Sequence, residues 1–352
     1  MIETLGIHRA PILGALERID ATQGESYTGV NAWAPDLRDR LLEFTARGKL
    51  IRGSLVAATA EALGRTPDDD VYTVAAAVEL VQSFLLVHDD IMDEDPIRRG
   101  MPAIYEQYRR YGEERGYTHV RRFGESMGIC GGDVAVLMAL SSLAGIAADA
   151  ETRVRLVRLL SDEIAKVGVA QMADVANGHS PTAASEEEIV SVYRFKTGRY
   201  TFSLPLMLGA MLAAADRRLI DLLSTWGEIQ GVVFQIRDDH LGLMGETGEI
   251  GKPSASDVTS NKQTLHRLHL FERLPGSEWA DVAGYFGHEH LSAAQISRVR
   301  EALAGTGTLD LLEARVRELR AEAASLLDQA GLDERRRGVF DAIDEYNASR
   351  TV

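Results

Sequence analysis

Val71-Tyr-Thr-Val-Ala-Ala-Ala-Val-Glu-Leu-Val-Gln-Ser-Phe-Leu-Leu-Val-His-Asp89-Asp90-Ile-Met-Asp93 is an apolar run that closes on acids. Its apolar residues recur at i, i+3, i+4 and i+7, which predicts a helix over Val71–Met92. Ending such a helix in aspartates is unfavourable twice. Carboxylates resist burial, and a helix C-terminus already carries partial negative charge. Asp89 and Asp93, four apart, share one face, and Gln82, seven before Asp89, continues the stripe. Carboxylates facing one way repel each other unless a cation sits between them, and hard oxygen donors suit Mg²⁺. Without a cation the same stretch is a solvated acidic helix end followed by the turn Arg98-Arg99-Gly100.

Working outward, the helical period recurs in Leu37–Leu63, Gly128–Ala147, Thr152–Ala176, Glu186–Ala214, Leu219–Leu243, Ser292–Ala304 and Leu309–Gln329. No βαβ rhythm or row of alternating strands appears, so the fold class is all-α in one domain over residues 1–352. Ser185-Glu-Glu-Glu188 is a capping box that starts one helix. Pro205 predicts a kink between Gly198 and Pro205. Residues 105–125 read as a charged, exposed excursion, and 244–263 as a long loop. A second acidic stretch, Phe234-Gln235-Ile-Arg-Asp238-Asp239-His-Leu-Gly242, again ends an apolar helix and runs on to Gly251-Lys252-Pro253, Asp257 and Lys262. Two such clusters facing each other across a helical bundle would hold a polyanion through bound cations.

Composition narrows the partners. With 38 basic and 53 acidic residues the net charge is −15, which argues against a nucleic-acid or anionic-membrane surface. A hydrophobic fraction of 45% suffices for a sizeable core. The single cysteine, Cys130, forms no internal disulfide, and the first residues lack a signal peptide's pattern. The apolar stretch Leu204–Ala215 is too short to span a bilayer. A soluble cytoplasmic protein is expected. Only five of the 38 basic residues are lysine, and four of them (Lys49, Lys196, Lys252, Lys262) fall in the motifs discussed here. Lysine's compact ammonium suits a tight phosphate site.

Taken in order, the motifs resemble those of the trans-isoprenyl diphosphate synthases, the polyprenyl synthetase family that includes geranylgeranyl and farnesyl diphosphate synthases. Gly48-Lys49-Leu-Ile-Arg52 resembles the early Gly-Lys-x-x-Arg element, and Asp89–Asp93 with Arg98-Arg99-Gly100 the first aspartate-rich motif. Gln171-Met-Ala-Asp174, Lys196-Thr197, Phe234–Asp239 and Gly251-Lys252-Pro253 with Lys262 follow. The resemblance covers about residues 40–330. Gly242 departs from it by standing where many relatives have a third aspartate, leaving Asp238 and Asp239, with Asp257 as a further candidate.

The resemblance implies an isoprenoid-synthase helical bundle with a central cavity, and a homodimer. It implies a Mg²⁺-dependent prenyltransferase, with three ions when substrate is bound, that condenses isopentenyl diphosphate with dimethylallyl, geranyl or farnesyl diphosphate. Asp89, Asp93 and Asp238 would be metal ligands, with Asp90, Asp239 and Asp174 as direct or supporting groups. Arg98, Lys196, Lys252 and Lys262 would contact the allylic diphosphate, and Lys49, Arg52, Gln82 and Arg99 isopentenyl diphosphate. Thr197, Gln171 and Gln235 would steady the carbocation. Phe84 and Leu85, just before Asp89, would form the floor that limits chain length, a pattern like that of C20 synthases. Geranylgeranyl diphosphate is the expected product, with farnesyl diphosphate second. A terpene cyclase and a non-catalytic synthase subunit are the competing readings. Gly48–Arg52 with Arg99 argues against the first, and the retained Asp89, Asp90 and Asp93 against the second. His88, beside the motif, reads as a packed helix histidine rather than a base.

Overall fold

The computed structural model describes residues 5–180, 182–245, 256–288 and 290–350, almost wholly helical. The chain divides into two compact units. The first runs to Ser161 and includes Pro205–Ala215; the second holds Asp162–Leu204 and the chain from Asp216 onward.

In the first unit, α1 (Arg9–Thr28), α2 (Trp33–Ala46), α3 (Ile51–Ala62) and α4 (Asp69–Met92) precede a two-residue hairpin. Its strands are β1 (Ile97–Arg98) and β2 (Met101–Pro102). Next come α5 (Ile104–Glu114), α6 (Val120–Ala144) and the start of α7 (Ala150–His179). Asp68 caps α4 by accepting the Val71 N–H at 3.0 Å. The helix expected over Leu37–Leu63 is two helices: Leu50 sits in the left-handed region (φ 52°) and breaks the run.

The stretch 105–125 also departs from expectation. Most of it is regular helix, α5 and the first turns of α6, because its charges lie on one side and its aromatics on the other. Tyr108 is fully buried with Phe44, Val87 and Ile104. Trp33 meets Tyr108 and Tyr111 edge-on, while Glu106 pairs with Arg109 and Arg110 at 2.6 and 2.7 Å. Glycines on one stripe of α6 let it lie close to α4 and α5. A Cβ on Gly124 would stand 2.4 Å from Tyr105 O, and one on Gly128 2.9 Å from Ile91 Cδ1.

The apolar stretch Leu204–Ala215 is not the one nearest to a bilayer span. Among the described residues two helices, α4 and α6, have the length and hydropathy for it, with 67% and 44% of their apolar windows buried inside the protein. The core position of α4 accounts for its composition.

In the second unit, α8 (Glu186–Val192) begins at the capping box of Ser185 and Glu188. It passes into a π-helix over Tyr193–Ser203. The distortion therefore begins earlier than Pro205 suggests, before α9 (Leu204–Leu212), which from Pro205 onward belongs to the first unit. The π-helix packs along α10 (Arg217–Met244), which also contacts the helices Thr308–Ala330 and Glu334–Ser349. Where π-helix and α10 meet, a Cβ on Gly231 would lie 1.9 Å from Gly198 Cα. Backbone faces backbone there, so no side chain can yield. Gly231→Ala is expected to destabilise the protein by about 3 kcal/mol, at the upper end for overpacking, as read from urea denaturation.

Candidate active site

In the first unit, helix ends are brought together around an anion-suited turn. The C-terminal carbonyls of α2 lack intrahelical partners and attract cations. Arg9 of α1 donates to Ala46 O at 2.6 Å and Gly48 O at 2.5 Å. Arg99 donates to Phe44 O at 2.5 Å, its guanidinium 5.1 Å from the centre of the Phe44 ring. Both arginines thus pin the segment that presents exposed Lys49 and half-buried Arg52. Behind it lies Glu79 of α4, 2% exposed, accepting the Gly53 N–H at 2.7 Å. Burial pushes the Glu79 carboxyl up, while Gly53 N–H, Arg52 and Arg99 pull against that. Only glycine permits this approach, since a Cβ at 53 would stand 2.7 Å from Ala75 O. Gln82 is buried one turn further along α4.

Within the first acidic motif the carboxylates divide. Asp89 is half-buried and Asp93 exposed, whereas Asp90 turns inward and is fully buried. Arg98 Nε donates to Asp90 Oδ1 at 2.6 Å, and its Nη2 reaches Asp95 at 3.1 Å. Burial raises the Asp90 carboxyl to about 6, with Arg98 holding it down against Asp89 and Asp95. The hairpin turn that aims these arginines has φ 55° at Arg99 and 74° at Gly100. That pair of positive values marks a tight two-residue connection, strained at the arginine. Leu85, on a helix that stays regular, shares the stripe of Gln82 and Asp89; Phe84 points away from it.

The second unit repeats the division. Asp239 is buried and accepts from Tyr193 Oη, Gln235 Nε2 at 2.9 Å and Lys262 Nζ at 3.1 Å. Burial opposes the charge on Lys262, but Asp239, Asp257 and Asp238 more than offset it and hold its proton firmly. Asp238 is half-exposed, with the Arg350 guanidinium 3.6 Å away and stacked over Phe234. A Cβ on Gly242 would lie 3.0 Å from Asp257 Oδ2, so the Asp257 carboxylate packs where a third aspartate would begin. From the π-helix, Lys196 donates to Asp174 at 2.6 Å and Thr197 to Gln235 at 3.0 Å. Gln171 is half-buried one turn before Asp174. Lys252 lies outside the described residues.

Asp90 and Asp239 are therefore placed as buried anchors, while Asp89, Asp93 and Asp238 face outward. Among the described residues no three His, Cys, Asp or Glu side chains converge as a closed metal site. Mg²⁺ takes one or two carboxylates and completes its octahedron with phosphate oxygens and water. Outward pairs of carboxylates fit a cation shared with a phosphorylated ligand. Arg9, Gly53, Glu79, Tyr193 and Arg350 are not marked by the sequence motifs. Glu79 alone had a signal, as the one acid inside an apolar run.

Residues 36–303 match the family model described as polyprenyl synthetase. A short chain isoprenyl diphosphate synthase of Methanothermobacter thermautotrophicus is 34% identical over 229 residues, 65% of either chain, so this protein spans just under two thirds of that relative. A geranylgeranyl diphosphate synthase of Saccharolobus solfataricus is 30% identical over 264 residues, 74% of either chain. Among solved structures, geranylgeranyl pyrophosphate synthase from Corynebacterium glutamicum, complexed with isoprenyl diphosphate and magnesium, superposes with a TM-score of 0.89 at 26% identity. That match covers 97% of this chain and 98% of the other. The protein belongs to the polyprenyl synthetase family, the trans-isoprenyl diphosphate synthases.

Removing Arg98 leaves Asp90 buried without its counter-charge, so Arg98→Ala should cost about 3–5 kcal/mol. The loss has a pH signature. A carboxyl raised to about 6 contributes stability at low pH that is lost as pH rises through that value. Without Arg98 the value rises further, so denaturation at pH 8 should show a larger deficit than at pH 5. Equal deficits would mean that Asp90 is not the group Arg98 serves.

Proposed function

We propose that the protein is a short-chain trans-prenyltransferase that joins isopentenyl diphosphate to an allylic diphosphate, with geranylgeranyl diphosphate as its product. The observation that carries this reading is the shared construction of the two acidic motifs. Each ends an apolar helix, buries one aspartate against a cation and turns others outward. A nucleophilic or acid–base role would need a carboxylate aimed at a reacting atom; outward carboxylates beside arginines and lysines suit a bridged polyanion instead.

In this reading Asp89, Asp93 and Asp238 hold Mg²⁺, with Asp257 as further support. Bound magnesium would supply the charge that stabilises the departing diphosphate. Lys196, Lys262 and Arg98 would add fixed cations around it, and Lys252 would join them. Thr197, Gln235 and Gln171 would steady the carbocation through their hydroxyl and carbonyl dipoles. Isopentenyl diphosphate would bind without metal at Lys49, Arg52, Gln82 and Arg99, where Arg9 and Glu79 hold the turn in place. Phe84 and Leu85 would limit the chain to twenty carbons. The exposed apolar residues Ile129 and Leu137 on α6, with Val154, Val169 and Met172 on α7, support a homodimer. Exposed Cys130, free of any disulfide, suits a reducing cytoplasm.

Three outcomes test the reading. The chain incubated with Mg²⁺, isopentenyl diphosphate and labelled farnesyl diphosphate should yield, after dephosphorylation, a C20 alcohol. Cyclic hydrocarbons would mark a cyclase, and no turnover a subunit. EDTA should abolish turnover and Mg²⁺ restore it; full activity without metal would overturn the assignment. Arg52→Ala should raise the KM for isopentenyl diphosphate roughly tenfold, as expected for a lost charged hydrogen bond. Asp89→Ala should instead lower kcat by roughly 10²-fold or more, because its contact strengthens as the leaving group ionises.

A further inference from the structure

Phe84 and His88, four apart on α4, meet edge to face with ring centroids 4.8 Å apart and planes at 67°. His88 reaches across to α6, where its Nε2–H donates to Ile129 O at 3.1 Å. The Asp133 carboxylate lies 3.6 Å from the same nitrogen. Gly132 provides the space the imidazole fills: a Cβ there would stand 2.4 Å from Nε2 and 2.5 Å from Cδ2. The ring is thus held by a backbone carbonyl, by the bare α6 surface and by Phe84.

This arrangement bears on how far a bound chain can extend. On a regular helix Phe84 sits about 140° around from Asp89, and α4 is regular throughout. Helix position alone therefore does not put the Phe84 ring beneath the aspartate stripe. The surface that ring is seen to lean on is His88.

We propose that His88, seated in the gap that Gly132 leaves on α6, is a positioning residue for product length: it backs Phe84 and so sets the depth at which elongation stops. The proposal rests on the reading above in which Phe84 limits the chain. Specificity then belongs to a pair of helices, with α4 carrying the stop and α6 fixing its angle. Because an imidazole is held in place by a glycine, change at either position should move the limit, in opposite directions. Losing the ring frees Phe84 to swing toward α6 and deepens the pocket. Adding a methyl at 132 pushes His88, and Phe84 with it, toward the chain and makes the pocket shallower.

The test is the product profile of the Mg²⁺-loaded enzyme with isopentenyl diphosphate and labelled farnesyl diphosphate, read by chromatography of the dephosphorylated alcohols. His88→Ala should raise the ratio of C25 to C20 alcohol by roughly three- to tenfold, the kinetic equivalent of one lost aromatic contact. Gly132→Ala should lower the yield of C20 alcohol relative to the unextended C15 alcohol. Phe84→Ala should lengthen the product, and Phe84→Ala combined with His88→Ala should add nothing further. Thermal melts of each variant accompany the profiles, since a purely structural role would shift the melt and the rate while leaving the ratio of products unchanged. A lengthened profile in Phe84→Ala with a wild-type profile in His88→Ala overturns the positioning role and leaves Phe84 as the floor. An unchanged profile in Phe84→Ala overturns the floor itself, and this inference with it.

Discussion

The buried ion pair between Arg98 and Asp90 is the contact on which the first site depends. Replacing a buried pair by apolar residues is often neutral or stabilising, so its net contribution to stability does not explain it. Placement does. The pair fastens β1 to the end of α4 and fixes the tight turn at Arg99 and Gly100. That turn sends Arg99 to the last carbonyls of α2, and those carbonyls belong to the segment presenting Lys49 and Arg52. One inward aspartate thereby orients the acidic end of α4 and the segment that presents Lys49 and Arg52 together. The strain of a non-glycine residue at positive φ is tolerated because both flanking contacts over-determine it.

The second unit reaches a similar result by different means. Asp239 is anchored by a phenol, an amide and an ammonium instead of a guanidinium. Tyr193, which opens the π-helix, also accepts the Leu265 N–H at 3.1 Å and so links the anchor to the helix that follows Lys262. π-helical turns interrupt the regular spacing of side chains and are frequent at functional sites. Here the irregular turn brings Lys196 to Asp174 and Thr197 to Gln235, contacts made from adjacent positions in the chain. The Gly198–Gly231 approach is what allows that turn to lie against α10.

Much of this was legible in the sequence, for identifiable reasons. The all-α class, the helix ending at Met92 and the capping box at Ser185 followed from periodicity and local hydrogen-bond chemistry. The acidic motifs stood out because acids at an apolar helix end are costly unless a cation compensates them. Two local elements misled. The Leu37–Leu63 periodicity resumes beyond the break, and it outweighed the polar Arg47-Gly48-Lys49 that ends α2, although nothing in residue type marks Leu50 for a left-handed conformation. Tyrosines and arginines in 105–125 read as surface, although one face of α5 buries Tyr105, Glu106 and Tyr108 and the other exposes Arg110, Glu113 and Glu114. The inward turn of Asp90 and Asp239 was also hidden, because spacing on a helix shows which residues share a face but not what that face meets.

Helix α6 shows how composition alone can suggest the wrong environment. Its apolar residues lie on two faces. One holds the buried Ala135, Met138, Ala139 and Leu143, beside the glycines at 124, 128 and 132 that let α4 and α5 come close. The other is the outward row of Ile129, Asp133 and Leu137, spaced four apart, with Ile129 37% and Leu137 60% exposed. Asp133 sits in the middle of that row with a side chain 60% exposed. An aspartate at the centre of a membrane-spanning helix costs about 2.5–3.5 kcal/mol even on the most lenient scales, and flanking apolar residues of this size barely offset it. Against a protein surface the same carboxylate can be hydrogen-bonded or left at a wet rim while Ile129 and Leu137 are covered. The outward row therefore suits the second copy proposed above and is poorly matched to lipid.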